Sequence, residues 1–123
     1  MSVRAARGAI RVAENSAEAI RAASRRLTSE LLARNAVDPG RIVSLIFSLT
    51  RDLNLANPAT AARSLGLSEV PLFCLQEAEV AGSMPGVIRA LLTWEGEGQG
   101  RPVPVYLDGA ETLRPDLPPG RAG

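Results

Sequence analysis

The sequence predicts one α/β (α+β) domain: a mixed β-sheet of about five strands with one long and one short helix. Three observations predict it. Apolar residues make up 46% of 123 residues, enough for a compact core. Strand-length runs rich in β-branched residues alternate with two segments of helical character. Glycine, proline and asparagine punctuate the junctions between them.

Residues 3–12 read as the first strand. Val3, Ala5, Ala9, Ile10 and Val12 supply its apolar positions, and Arg4, Arg7 and Arg11 interrupt them. Arg4 and Arg11 read as solvated. Gly8, directly after Arg7, signals a bulge or a close backbone approach. Asn15 followed by Glu18 has capping-box spacing and opens a helix over residues 17–35. Ile20, Ala23, Leu27 and Leu31 share one stripe of it, while Glu18, Arg21, Arg25 and Arg34 fall largely off that stripe. Asp38-Pro39-Gly40 breaks the chain. Residues 42–50 (IVSLIFSLT) have strand length and are near-continuously apolar, which predicts burial on both faces.

After a loop over residues 51–57, Asn57-Pro58 fits an N-cap with proline at the first helical position. That short helix covers residues 58–65 and stops at Gly66. Residues 70–75 form a third strand ending at Gln76-Glu77. Gly82, Pro85 and Gly86 mark a turn, and residues 87–94 form a fourth strand carrying Arg89. Residues 95–102 are a glycine-rich connection. Residues 103–107 read as a short strand whose Pro104 implies an edge or a ladder end. Asp108-Gly109 is a turn signal, after which residues 110–113 can return as a strand. The domain spans 1–117, and 118–123 is a loose tail. One long helix covers one sheet face. The other face needs a partner, which predicts an oligomer with any polar cleft at a subunit boundary.

Composition excludes several chemistries. All 14 basic residues are arginine, and there is no His. That removes Ser-His-Asp and Cys-His relays, imidazole metal ligands, Schiff-base lysines and the P-loop lysine. One Cys allows no internal disulfide and no Cys-cluster zinc site. Net charge is +1 and aromatics are 3%, so neither nucleic acid nor membrane is favoured as a partner. No secretory h-region or bilayer-length run is present, and a cytoplasmic protein is the default. Any enzyme here works with Arg, Glu, Asp, Tyr, Ser, Thr and backbone groups, by positioning charge.

Two charges stand out. Glu77 follows Leu72-Phe73-Cys74-Leu75, and Arg89 sits inside Val87-Ile88-Arg89-Ala90-Leu91-Leu92. A charge in a largely apolar run is costly unless it is paired or used. On these residues alone, a structural Arg–Glu pair between strands and a polar pocket gripping a small acid are both open.

Five stretches in order resemble one family. They are Val3-Arg4-Ala5-Ala6-Arg7-Gly8-Ala9-Ile10; Asn57-Pro58-Ala59-Thr60-Ala61-Ala62-Arg63; Val70-Pro71-Leu72-Phe73-Cys74-Leu75-Gln76-Glu77; Val87-Ile88-Arg89; and Val105-Tyr106-Leu107 with Leu113-Arg114-Pro115-Asp116-Leu117. Together they resemble the monofunctional, AroH-class chorismate mutases over nearly the whole chain. The resemblance implies a homotrimeric pseudo-α/β-barrel with active sites between subunits. It implies cofactor-free conversion of chorismate to prephenate, a Claisen-type rearrangement in aromatic amino-acid biosynthesis. It places Arg7, Glu77, Arg89 and Tyr106 in the pocket, with Phe73 and Cys74 lining it. It puts Asn57 at a pocket-wall position, Arg63 near the mouth, and Leu113 and Arg114 beside the closing tail.

By the same resemblance, Arg89 donates to the breaking ether oxygen and Glu77 holds the ring hydroxyl. Arg7 and Tyr106 hold the enolpyruvyl carboxylate, and Cys74 packs rather than attacks. Three features depart from the family's pattern. Asn57 replaces an aromatic residue, Thr60 stands where lysine is common, and residues 96–104 are unusually rich in Gly and Pro. A pyruvate lyase acting on chorismate or isochorismate on the same scaffold is the alternative, as is a non-catalytic trimer binding a small acid.

Overall fold

Ten consecutive residues of extended backbone, Ser2–Arg11, form β1 and set the frame of a five-stranded sheet. The computed structural model describes residues 2–98 and 100–115. After β1 come helix α1 (Ala17–Arg34), β2 (Ile42–Leu49), the short helix α2 (Pro58–Arg63), β3 (Leu72–Gln76), β4 (Val87–Gly96) and β5 (Val105–Leu107). Single 3₁₀ turns lie at Pro39–Arg41 and Ala110–Leu113. The expected tail, 118–123, and residues 116 and 117 of the expected domain lie outside the described residues.

The strands lie side by side in the order β3-β2-β4-β1-β5. β4 runs antiparallel to both β1 and β2, while β3 and β5 run parallel to their neighbours, so the sheet is mixed as expected. Both helices pack on one face. Side chains alternate across a strand, so one set of β-residues (Ala6, Ile10, Leu45, Phe47, Ile88, Ala90, Leu92, Trp94) is buried against Ile20, Leu27 and Leu31 of α1 and Ala59 and Ala62 of α2.

Helix α1 is amphipathic as the pattern requires, with one difference at its start. The N-cap is Ser16, whose Oγ accepts from Ala19 N–H at 3.1 Å, not Asn15. Asn15 instead holds the loop after β2: its amide donates to Asn54 Oδ1 at 2.9 Å, and its Oδ1 accepts from Asn54 N–H at 3.1 Å. The buried stripe includes Ser24 and Thr28, whose hydroxyls donate back to the carbonyls of Ile20 and Ser24. Burying them therefore leaves no donor unpaired. At the other end, the Asn35 amide donates to the carbonyls of Leu31 and Val103 and its Oδ1 accepts from Val103 N–H at 2.7 Å, pinning the approach to β5.

Helix α2 begins as read: Asn57 Oδ1 accepts from Ala59 N–H at 2.8 Å, with Pro58 in the first turn. It ends at Arg63, two residues earlier than expected, before Gly66 turns the chain with φ +86°. Residues 110–113 form a 3₁₀ turn rather than a return strand. Asp108 and Gly109 both have positive φ (55° and 99°), which turns the chain back over the sheet instead of alongside it.

The expectation that β2 is buried on both faces fails for the described chain. Leu45 and Phe47 are inaccessible, but Val43 is 45% exposed and Ile46 and Ser48 are half-buried. Val3, Phe73, Leu75 and Leu91 are exposed as well. A smaller cluster (Ala9, Val87, Tyr106, Ala110, flanked by Met84 and Leu113) covers the β1–β5 end of this second face. The rest of that face is open and largely apolar.

The exit of β2 is tied to the entry of β4. Thr50 Oγ1 accepts from Val87 N–H at 3.0 Å, and Asp52 Oδ1 accepts from Gly86 N–H at 3.3 Å. Partial desolvation pushes the Asp52 carboxyl upward, but hydrogen bonds from Thr50 and from the Gly86 and Asp52 N–H groups outweigh it and hold the carboxyl below its ordinary value of 3.8. A lowered native pKa stabilises the fold above the unfolded value, and that contribution is lost as pH falls through the native one. Asp52→Asn is therefore expected to lower the urea midpoint at neutral pH. The gap to the wild type should close as pH is taken below 3.8 towards the native value. A gap that widens on acidification would contradict this.

Candidate active site

Register alone assembles a polar row on the open face. Ser48 of β2 pairs with Leu75 of β3 on one side and Arg89 of β4 on the other; Arg89 pairs with Ala9 of β1, and Ala9 with Tyr106 of β5. The next row on the same face is Phe73, Ile46, Leu91 and Arg7. Arg7 and Arg89 are thus diagonal neighbours, within reach of one bound molecule. Ala9, fully buried between Arg89 and Tyr106, packs in the small cluster with Val87, Tyr106 and Ala110.

A cavity of about 310 Å³ opens over these rows. Arg7, Arg89, Arg114 and Tyr106 line it, with Ser48 and apolar walls from Ile46, Leu75 and Leu91. Arg7 is exposed and has no hydrogen-bond or ion-pair partner among the described residues. Tyr106 is almost buried, so only a small part of it reaches the cavity.

Glu77 stands just past the end of β3. Its N–H donates to the Leu49 carbonyl at 2.8 Å, so its main chain is fixed to the end of β2. Its two carboxylate oxygens have different partners: Oε2 accepts from Ser48 Oγ, and Oε1 lies 3.2 Å from Arg89 Nε. That Arg89–Glu77 contact is a charge pair, not an aligned hydrogen bond. Arg89 Nε is inaccessible to solvent and makes no hydrogen bond, although its side chain as a whole is 42% exposed. Three guanidinium groups therefore line this cavity, and the Glu77 carboxylate stands behind two of its lining residues, Ser48 and Arg89, rather than in its wall. That charge balance suits a small molecule bearing more than one negative charge.

The other expected residues are placed differently within the single chain. Phe73 is on the open face, one row from Ser48 and 61% exposed, but does not line the cavity. Cys74, one residue on, faces the opposite way. It pairs with Phe47 and packs against the core beneath α2, where burial pushes its thiol pKa up. A half-buried thiol of raised pKa is a poor nucleophile. Asn57 and Arg63 are on α2, in the layer behind the sheet, and Asn57 uses its oxygen as the helix cap. Leu113 backs Tyr106 from the small cluster. Within one chain the structure thus brings Arg7, Arg89, Tyr106 and Arg114 to the cavity, with Glu77 reaching it only through its contacts to Arg89 and Ser48, and leaves Phe73, Cys74, Asn57, Arg63 and Leu113 outside its lining. Ser48 was not anticipated. Its one signal is a hydroxyl in a mostly apolar strand, which Ser44 shares.

The sequence pattern of the family described as chorismate mutase type I matches residues 3–117. The chain belongs to that family. It is 44% identical over 117 residues to the chorismate mutase AroH of Thermus thermophilus, covering 94% of this chain and 96% of the relative. It is 34% identical over 119 residues to the chorismate mutase AroH of Bacillus subtilis strain 168, covering 95% and 94%. Among solved structures, a chorismate mutase from Clostridium thermocellum superimposes with a TM-score of 0.85 at 36% identity, covering 89% of this chain and 98% of that one. For a chorismate mutase type I chain, the arginine-lined cavity on the open sheet face is the natural candidate for the active site.

Proposed function

We propose that this chain catalyses the chorismate mutase reaction, the intramolecular rearrangement of chorismate to prephenate, in the cavity formed by Arg7, Arg89, Tyr106 and Arg114. The observation that carries this reading is the placement of Arg89: a guanidinium at the centre of the sheet, facing the cavity, with Glu77 beside it.

The reaction breaks the ether C–O bond and forms a C–C bond in one step, with no proton transfer. The protein must fold the enolpyruvyl arm over the ring and stabilise the charge that gathers on the ether oxygen. Arg7 and Tyr106, on neighbouring strands, hold the enolpyruvyl carboxylate, and this orientation removes part of the entropic barrier. Arg89 donates to the ether oxygen, where a fixed donor acts most strongly in the transition state. Glu77 accepts from the ring hydroxyl. Arg114, beside the cavity, contributes to closing it.

The same reading makes the chain a cytoplasmic homotrimer with active sites between subunits. Its support is the open sheet face, where Val3, Val43, Phe73, Leu75 and Leu91 are exposed. A neighbouring copy seated there would cover them. It could also bring its own Asn57, Arg63 and Cys74 segments to a cavity that lacks them within the chain.

The test is direct. Purified protein given chorismate should consume its ultraviolet absorbance and yield prephenate. Release of free pyruvate would mark a lyase instead, and binding without turnover a non-catalytic protein. Sedimentation equilibrium should return three times the chain mass.

A further inference from the structure

We propose that Ser48 is a positioning residue that keeps Glu77 and Arg89 from closing into a bidentate salt bridge; this rests on the roles given to those two residues above. Arginine and carboxylate prefer a fork-to-fork pair with two parallel hydrogen bonds. Here they do not form it. Arg89 Nε lies 3.2 Å from Glu77 Oε1 yet makes no hydrogen bond, while Oε2 is taken by Ser48 Oγ.

Geometry makes Ser48 the reference point. It lies between the two charged residues in the sheet, paired with Arg89 across β2–β4 and with Leu75, two residues before Glu77, across β2–β3. Its Cβ is fixed by the strand, and its hydroxyl is one bond further out, so the donor has almost no freedom except rotation. The Glu77 main chain is anchored next door, at Leu49 O. The carboxylate is thus tethered at both ends of a side chain that otherwise turns about three bonds.

Removing that tether leaves Oε2 without its donor, and the free guanidinium edge is the nearest replacement. The collapsed pair would neutralise both groups and draw the Arg89 donors off the cavity. Ser48 thereby keeps a cation and an anion adjacent while each remains available to substrate.

The experiment compares Ser48→Ala, Ser48→Thr and the Ser48→Ala/Glu77→Gln double variant with the wild type. Loss of a hydrogen bond to a charged group predicts that Ser48→Ala lowers kcat roughly tenfold to hundredfold, with a smaller change in KM and an unchanged melting temperature. Ser48→Thr, which keeps the hydroxyl, should recover most of kcat. In the Glu77→Gln background, Ser48→Ala should cost less than about twofold more, because the two act as a unit. The crystal structure of Ser48→Ala should show Arg89 and Glu77 in a two-bond pair. Full kcat in Ser48→Ala, additive losses, a Thr variant as impaired as Ala, or an unmoved Glu77 in the variant's structure would each overturn the proposal. A wild type that forms no prephenate would instead defeat the functional reading, and the variant's structure would still decide the role of Ser48.

Discussion

Arg89→Ala is expected to lower kcat by about 10²–10³-fold while KM changes much less. Its setting suits the transition-state role proposed for it. It occupies the middle strand of the sheet, where β4 is hydrogen-bonded on both sides, so its backbone cannot drift. Its Nε is shut away from water and its outer end faces the cavity. A guanidinium preorganised in this way meets developing charge without first reorganising solvent. On the proposed reading it gains most when the ether oxygen becomes negative, so its loss is expected to act on kcat more than on ground-state binding. Arg89→Lys keeps the charge but not the planar fork and is expected to restore little. Steady-state kinetics on chorismate check both variants. A rise in KM at constant kcat would assign Arg89 to substrate capture instead.

The second large effect is expected at Gly8. Its backbone is not in the left-handed region, so turn conformation does not explain the glycine. Space does. A Cβ there would stand 2.9 Å from Leu27 Cδ1, 3.2 Å from Leu31 Cδ1 and 3.0 Å from the Val105 carbonyl oxygen. The leucine tips can swing, but the carbonyl belongs to β5, paired with Gly8 in parallel register. One added methyl must push α1 away from the sheet or β5 away from β1. Overpacking of this kind costs about 1–3 kcal/mol, or a fall in melting temperature of roughly 4–12 °C for a chain this size. Because β5 carries Tyr106, Gly8→Ala is also expected to lower kcat/KM of the folded protein. Gly40→Ala is the control: its Cβ would meet only Asp38 Oδ1, at 3.4 Å, and melting should hardly move. Equal melting temperatures for Gly8→Ala and wild type would refute the packing argument.

How far the sequence could anticipate these two residues differs for physical reasons. Arg89 was visible because a charge inside Val87-Ile88-Arg89-Ala90-Leu91-Leu92 breaks a strand's apolar logic, and Glu77 was visible for the same reason. Gly8 showed as a close approach, though nothing local named its neighbours: Leu27 is a helix away and Val105 nearly a hundred positions on. The five strands were readable from apolar runs and turn residues, but their order was not, because adjacency in the sheet is settled by long-range pairing. At the first helix, two adjacent residues can both cap, and Asn15 was taken by Asn54, leaving Ser16. At residues 110–113 four residues were too few to show a period. Ser48 carried only a weak signal, since a hydroxyl in a strand, shared here with Ser44, is ordinary until its partner across the sheet is known. Cys74 shows the converse: next to Phe73 in sequence, it faces the other side of the sheet, because neighbouring strand residues always do.

The first strand finds all its sheet partners late in the chain. Ser2 is matched with Gly96, and Ala9 with both Arg89 and Tyr106. During synthesis β1 therefore emerges with no edge to join, and α1 and β2 emerge with their greasy surfaces uncovered. At elongation rates of about 5–20 residues per second the interval until β5 appears is roughly 5–20 s, long compared with the microseconds in which a lone helix forms. Holding factors on the ribosome have that window to act in. Productive folding of this sheet waits for β4 and β5, and truncated chains ending before residue 87 have no route to it.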